Sequence, residues 1–159
     1  MRKTISLFLA LLFLSSILLP ELAGSAPPPP SGKTRRPDTA EQERADQLYR
    51  LLKRENPRLH WNPCLARNAL RRAKEMVKRG YFDHEDPRTR RNPVWEQVRH
   101  CFPCAYAGEN LAKGMNTPEN IHKALMQSPT HRKNILDPRF ERVGVACYDY
   151  LCVELFAGF

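Results

Sequence analysis

Two short stretches, Tyr106-Ala-Gly-Glu-Asn-Leu-Ala112 and Ser128-Pro-Thr-His-Arg-Lys-Asn-Ile-Leu-Asp-Pro138, each set an ionisable side chain beside residues that turn or fix the backbone. Glu109 stands between a glycine and an asparagine, where the chain can turn sharply. His131 follows a proline, which fixes its own φ and biases the preceding residue away from helix. His84, in an earlier acidic loop, is a third candidate. We therefore expect His84, Glu109 and His131 to share one polar site.

Five elements of the sequence, taken in order, resemble the CAP superfamily, which is also called the SCP domain. This superfamily includes cysteine-rich secretory proteins, insect venom antigens and plant pathogenesis-related proteins, and the resemblance is closest to its short bacterial secreted branch. It covers roughly residues 40 to 159. The resemblance implies an α+β fold, an α-β-α sandwich with a small antiparallel sheet between helical layers. The five elements are Phe82-x-His84, Gly108-Glu-Asn110, Ser128-Pro-x-His131-Arg, Asn134-Ile-Leu136 and Val143-Gly-Val145.

The resemblance also implies a cavity with two histidines and two acidic residues, and in some family members the histidines bind a divalent metal. By this resemblance His84 and His131 are the cavity histidines and Glu109 is one acid. The second glutamate of longer members would fall near Gln127 or Ser128, and neither side chain ionises there. Two imidazoles and one carboxylate resemble the ligand set of some zinc sites. We expect zinc or another divalent metal at His84 and His131, with Glu109 as a candidate third ligand.

Glu154 is a candidate replacement for the missing acid. If Cys147 pairs across a hairpin with Cys152, Val145 lies directly opposite Glu154 and the two side chains share a face. An inward-facing lone carboxylate is costly unless it is paired or protonated. We therefore hypothesise that Glu154 lines the cleft and approaches His131. A register shifted by one residue would instead turn Glu154 towards water.

Five cysteines lie in the chain, at positions 64, 101, 104, 147 and 152. In an exported protein they are read first as disulfides, and the odd number leaves one free or paired with another chain. Cys147 and Cys152 flank a candidate hairpin turn, which predicts a bridge between them. Cys101 and Cys104 can close on each other, or one of them can reach Cys64.

The pattern of helix and strand signals also favours an α+β fold, since helices come first and a β-hairpin comes last. Asparagine and proline at 62–63 predict the start of the second helix, and Gly80 predicts its end. The predicted helices cover residues 39–56, 62–80, 93–98 and 117–126, and the predicted strands cover residues 107–113, 140–148 and 150–156.

The first 26 residues have the pattern of a signal peptide, with a basic start, an apolar run and small residues before the candidate cleavage point. Residues 27–38 form a proline-rich basic linker, and residues 39–159 suffice for one compact CAP domain. The apolar run is short for a bilayer span, so we expect no transmembrane span in the mature chain. The predicted location is secreted or in the cell envelope, periplasmic or extracellular.

The chain is basic, with 26 Lys and Arg against 17 Asp and Glu and a formal net charge of +9. This balance favours anionic partners. Export and the lack of a nucleic-acid-binding motif argue against nucleic acid as the partner.

Three functions compete. The expected one is a non-catalytic secreted binding domain whose cleft holds an unknown small or lipid-like ligand and a metal. The second is a protease-like hydrolase, in which His84 or His131 acts as general base with Glu109 orienting it, or a bound metal activates water. Ser128 is its weak point as a nucleophile, because the sequence around it lacks a nucleophile elbow. The third is an electrostatic binder of anionic envelope polymers.

Overall fold

The structure is a computed structural model that describes residues 39–115 and 117–159, so the predicted signal peptide and linker lie outside the described residues. Five helices and four strands occupy these two ranges. The helices are α1 (Thr39–Glu55), α2 (Pro63–Arg79), α3 (Val94–Arg99), α4 (Pro118–Gln127) and α5 (Pro129–Leu136). The strands are β1 (His60–Trp61), β2 (Tyr106–Lys113), β3 (Arg142–Tyr148) and β4 (Leu151–Gly158).

The four strands form one sheet in the order β1-β3-β4-β2. The β3–β4 and β2–β4 pairs are antiparallel, whereas β1 runs parallel to β3. The sheet is therefore mixed rather than wholly antiparallel as expected. Between β1 and β3 the chain passes through α2, α3, β2, α4 and α5. A connection of this length can return the chain in the same direction, as a parallel pair requires.

Helices cover both faces of the sheet, which confirms the α+β class and the layered arrangement. One apolar cluster joins α1, α4 and α5 to the sheet and includes Leu48, Ile121 and Phe156. The other joins α2 and α3 to the opposite face and includes Met76 and Leu155. Alternate residues of a strand point to opposite faces, so β4 contributes to both clusters.

Local signals fix most helix ends as predicted. The side chain of Asn62 accepts hydrogen bonds from the backbone nitrogens of Cys64 and Leu65, and Gly80 ends α2 with a left-handed φ of 69°. Gly144 lets α2 lie directly on β3, because a Cβ there would come 2.1 Å from the Ala66 nitrogen.

The helix α5 is a structural feature that the sequence patterns did not predict. Ser128 has extended backbone angles, as expected before a proline, but a new helix begins at Pro129. His131 therefore lies in the first turn of a helix. Proline suits a first helical turn, because its missing N–H has no partner to lose there.

The terminal hairpin has the predicted register, with Cys147 opposite Cys152 and Val145 opposite Glu154. Cys147 and Cys152 are bridged. Glu154 faces inward and is 1% exposed.

A bridge between Cys101 and Cys104 is wrong, because Cys101 pairs with Cys64, the other alternative considered. The end of α3 lies beside the start of α2, where Asn68 donates to the Gln97 carbonyl and to the Cys101 sulfur. Cys104 is left as the free cysteine. Among the described residues, no helix has both the length and the apolar character needed to cross a bilayer.

Candidate functional site

His84 and Glu109 are in direct contact. The Nδ1 atom of His84 lies 2.8 Å from Oε1 of Glu109, and Nε of Arg72 lies 3.2 Å from Oε2. The side chain of Glu109 is 1% exposed, whereas that of His84 is 45% exposed. Both carboxylate oxygens are therefore engaged below the surface, and the imidazole turns its remaining edge towards solvent.

Arg72, on the inner face of α2, holds the segment that carries His84. Its guanidinium donates to the hydroxyl of Tyr81 at 2.6 Å, and to the carbonyls of Asp83 at 2.6 Å and His84 at 2.9 Å. Sequence reasoning missed this residue. The available signal was the helical position of Arg72, which lies beside the apolar stripe of α2 rather than on its opposite side. The structure shows that Arg72 is fully buried, and a buried arginine requires a charge partner.

His131 approaches from the other side of the sheet. Its Nδ1 shares a hydrogen bond of 2.9 Å with the hydroxyl of Ser128, and its ring centroid lies 6.5 Å from that of His84. Its backbone carbonyl accepts a hydrogen bond from Nδ2 of Asn110 at 3.2 Å. The three candidate residues thus lie together, and we call them the histidine site (His84, Glu109 and His131).

The histidine site lies at the edge of the sheet, because β2 is an outer strand. Glu109 and Asn110 are consecutive on β2, so their side chains point to opposite faces. Glu109 meets Arg72 of α2, while Asn110 meets the start of α5. The two histidine-bearing segments therefore come together where the two helical layers meet the strand edge.

Beneath His131, amide side chains connect β2, β4 and α5. Asn134 donates to the Glu109 carbonyl at 3.2 Å and to Oδ1 of Asn110 at 3.0 Å. Asn110 in turn donates to Oε2 of Glu154 at 3.0 Å, and Oε1 of Glu154 is buried without a hydrogen-bond partner. Glu154 is thus linked to His131 through Asn110 and the His131 backbone, not through the imidazole.

The two imidazoles have opposite electrostatic environments. The hydrogen bond to Glu109 raises the pKa of His84 above its ordinary 6.5, outweighing burial. Burial, helped by the charge of His84, lowers the pKa of His131 below 6.5. At pH 6.5 the protonated form of His84 and the neutral form of His131 are therefore favoured. Burial also raises the pKa of Glu154 to about 7.

The family resemblance implies a metal, and the side chains meet that requirement only in part. Glu109 does not fit as a ligand, because Arg72 and His84 take both of its oxygens. Its bond to His84 Nδ1 instead resembles the carboxylate that orients a metal-binding histidine. The described residues contain no group of three His, Cys, Asp or Glu side chains placed to hold an ion. The histidine site therefore offers two imidazole nitrogens, fewer than the three or four protein ligands of resident zinc sites.

A hydrolytic triad is not formed at the histidine site. Such a triad needs one histidine between a nucleophile and a carboxylate. Here Ser128 contacts His131, while Glu109 contacts His84, so the two parts lie on different imidazoles.

Comparisons with known proteins agree with the fold and the sequence pattern. A protein of Bacillus subtilis (strain 168), YkwD, is 43% identical over 89 residues, which cover 55% of this chain and 34% of that protein. This chain thus spans about a third of that relative's length.

Similar solved structures come from three other bacteria. An extracellular SCP-domain protein of Bacillus anthracis str. Ames has a TM-score of 0.66 at 23% identity, covering 80% of this chain and 45% of that one. A cysteine-rich secretory protein of Staphylococcus aureus has a TM-score of 0.62 at 18% identity, covering 79% and 42%. An outer surface protein of Borrelia burgdorferi has a TM-score of 0.61 at 17% identity, covering 75% and 92%.

The family model of the cysteine-rich secretory protein family, CAP, matches residues 48–152, which include all three members of the histidine site. The matched range runs from within α1 to the second cysteine of the terminal hairpin. The chain therefore belongs to the CAP family.

Proposed function

We propose that this chain is a secreted CAP domain whose histidine site binds the polar head of a small, lipid-like ligand without turning it over. The observation that carries the proposal is the full engagement of the Glu109 carboxylate by Arg72 and His84. A carboxylate held in this way fixes a histidine in place but does not act as a free base. When His84 is protonated, its exposed edge is then a preorganised donor.

The charges of the site favour an anionic or carbonyl oxygen as the head group. One carboxylate lies between the Arg72 guanidinium and the His84 ring, so the cluster carries a net positive charge whenever the pH is below the raised pKa of His84. Phe82, two residues before His84 in the chain, has an apolar ring that is 40% exposed. The Lys113 ammonium lies 5.7 Å from the centroid of this ring. A cation beside an exposed ring suits a ligand with an anionic head and an apolar tail. The lipid-like class itself rests on the family resemblance.

A divalent metal is an accessory in this proposal. His84 and His131 would hold it, and when bound it would polarise an oxygen of the ligand. Because metal binding requires neutral imidazoles, its affinity would fall as the pH falls through the raised pKa of His84. Isothermal titration with zinc tests this step. Heat of binding that disappears in His84→Gln and in His131→Gln supports the accessory metal, and no heat in the wild type refutes it.

A hydrolase is the second candidate, favoured by the 2.9 Å contact between Ser128 and His131. It is the weaker one, because neither Glu109 of the site nor the nearby Glu154 bonds to the His131 ring. Ser128→Ala distinguishes the two functions. Hydrolysis of a fatty-acid ester that Ser128→Ala abolishes would favour the enzyme, and binding that survives in Ser128→Ala favours the ligand site.

An extracellular or cell-envelope location belongs to the same proposal. It is supported by the two disulfides and by the similarity in fold to an extracellular protein, an outer surface protein and a secretory protein. Fractionation of cells that express the full chain tests it, and recovery in the cytosol alone would refute it.

Ring-resonance NMR of the histidines is the direct test of ligand binding. The probes are palmitate, 1-hexadecanol and acetate, which separate the carboxylate head from the apolar tail. We expect palmitate to shift the ring signals of His84 and His131, and the two partial probes to shift them far less. His84→Gln and His131→Gln should each weaken palmitate binding. His100→Gln, at an exposed position at the end of α3, is the matched control.

Two outcomes contradict the proposal. Palmitate binding that is unchanged in both site variants would place the ligand elsewhere on the molecule. Equal binding of palmitate and 1-hexadecanol would show that the positive histidine site does not select the head group.

A further inference from the structure

We propose that the outer face of α2 binds a linear polymer whose negative charges are phosphate groups. The surface consists of Arg67, Arg71, Lys74 and Lys78, and we call it the α2 basic row. It goes beyond the histidine site, because these side chains leave α2 on the side turned away from Arg72.

The spacing of the four residues places them in one line. Steps of four, three and four residues return to nearly the same side of a helix with 3.6 residues per turn. At 1.5 Å per residue, the row is about 16 Å long. Arg67, Arg71 and Lys78 are exposed and Lys74 is partly exposed. The buried stripe of the helix, which includes Leu65, Ala69, Ala73 and Met76, faces the opposite way.

No carboxylate in the described part of the chain neutralises the α2 basic row. Within the described residues, none of its four side chains forms an ion pair. The neighbouring carboxylate, Glu75, is bound to Arg79, which also binds Asp86. Lys74 contacts an aromatic ring instead, with its ammonium 5.3 Å from the centroid of Tyr148. Like charges three or four residues apart destabilise a helix, so an anion lying along the row would relieve this repulsion.

The surface around the row is concave and lacks the side chains that enter a membrane. A groove of about 540 Å³ is lined by α2 residues that include all four members of the row. The large hydrophobic side chains exposed on the described part of the chain are Phe82, Trp95, Tyr106, Leu136 and Phe159, and none of them belongs to α2. A charged groove without exposed large hydrophobic side chains therefore suits a chain-like polyanion better than a lipid surface.

Phosphate groups suit both kinds of cation in the row. The guanidinium groups of Arg67 and Arg71 present forked donors that match a phosphate in two hydrogen bonds. The two lysines add compact point charges further along the row, and lysine is also a common phosphate-binding residue. Successive phosphates of a linear polymer can thus contact successive turns of the helix.

Fluorescence titration of the full chain with linear inorganic polyphosphate tests the proposal. The test variant changes Arg67, Arg71, Lys74 and Lys78 to Gln. The control variant changes Arg50, Arg54, Arg58 and Lys123, four exposed cations on other surfaces, to Gln and so has the same net charge. We expect affinity to fall about tenfold or more in the test variant and far less in the control. For four released counterions, the logarithm of affinity should fall with the logarithm of salt at a slope of roughly −3.

Three outcomes would overturn the inference. Equal losses in the test and control variants would show attraction by net charge alone. Polyglutamate that binds as tightly as polyphosphate at equal charge would refute phosphate selectivity. Binding to phosphatidylglycerol vesicles but not to polyphosphate would identify a lipid surface instead. Circular dichroism of each variant confirms that α2 remains folded, and the His84→Gln variant should bind polyphosphate normally because the two sites are separate.

Discussion

Glu109 and Asn110 are neighbours on β2, and each holds one of the two histidine-bearing segments from an opposite face of the sheet. Glu109 bonds to the ring of His84, whereas Asn110 bonds to the backbone of His131. Because the side chains of a strand alternate, two adjacent residues can bring two distant segments to one edge. The histidine site therefore depends on a single dipeptide of the edge strand.

The two histidines should titrate on opposite sides of pH 6.5, which is their ordinary pKa. NMR titration of the rings measures this directly. Glu109→Gln should lower the pKa of His84, because the raising hydrogen bond loses its charged acceptor. His84→Gln should raise the pKa of His131, because a nearby positive charge is removed. Asn110→Ala should move the His131 signals and leave the pKa of His84 nearly unchanged, whereas equal effects on both rings would contradict the two-sided arrangement.

Stability should reflect the same shifts. The raised pKa of His84 contributes stability that is complete below pH 6.5 and is lost as the pH rises through the folded pKa. The lowered pKa of His131 acts in the opposite sense, since stability is gained as the pH rises from its folded pKa to 6.5. Comparing the pH dependence of urea unfolding in His84→Gln and His131→Gln separates the two contributions. If both variants changed the slope of the unfolding free energy against pH in the same direction, the assigned shifts would be contradicted.

Arg72 and Glu109 form a buried pair, so losing either one should be costly. Arg72→Gln leaves the Glu109 charge with only His84 as a partner, and we expect a loss of about 3–5 kcal/mol in the free energy of unfolding. The double variant Arg72→Gln/Glu109→Gln should cost clearly less than the sum of the single changes Arg72→Gln and Glu109→Gln. Urea denaturation measures all three, with exposed Arg88→Gln as the control. Additive losses would show that the pair is not energetically coupled.

Glu154 should make the protein less stable as the pH rises. Its pKa is about 7 in the folded protein against an ordinary 4.5, so the folded state binds the additional proton between these values. The contribution of Glu154 to the free energy of unfolding is therefore greatest below pH 4.5. It falls by about 3 kcal/mol as the pH rises from 4.5 to 7. Glu154→Gln should remove this part of the pH dependence. Unfolding curves of wild type and variant that stay parallel from pH 4.5 to 8 would refute the burial of an ionisable group.

The cysteines should differ in reactivity and in stability. Alkylation of the unreduced, denatured chain followed by mass spectrometry should label Cys104 and leave the other four cysteines unlabelled. Cys104→Ser should change stability by less than about 0.5 kcal/mol. Loss of the Cys64–Cys101 bridge in a paired Ser variant should cost about 2–5 kcal/mol. A label on Cys64 would contradict the pairing seen here.

Local patterns predicted much of the fold. The asparagine–proline pair and Gly80 indicated both ends of α2, because caps and turns depend on neighbouring residues. The spacing of Cys147 and Cys152 indicated the hairpin register, and this register predicted that Glu154 points inward. The family pattern pointed to the layered α+β fold. The two-residue strand β1 and the helix α5 were missed, since neither is long enough to show a clear periodicity.

The sequence by itself determined the candidate side chains, His84, Glu109 and His131, because residue type and local spacing can be read without the fold. Only the tertiary structure decided what each one touches. Arg72 lies 37 residues from Glu109, and the same separation lies between Cys64 and Cys101. No local pattern encodes such pairings, since they arise when α2 packs on the sheet and brings its inner face to the edge strand. Because of that packing, Glu109 orients His84 and is not available as a metal ligand.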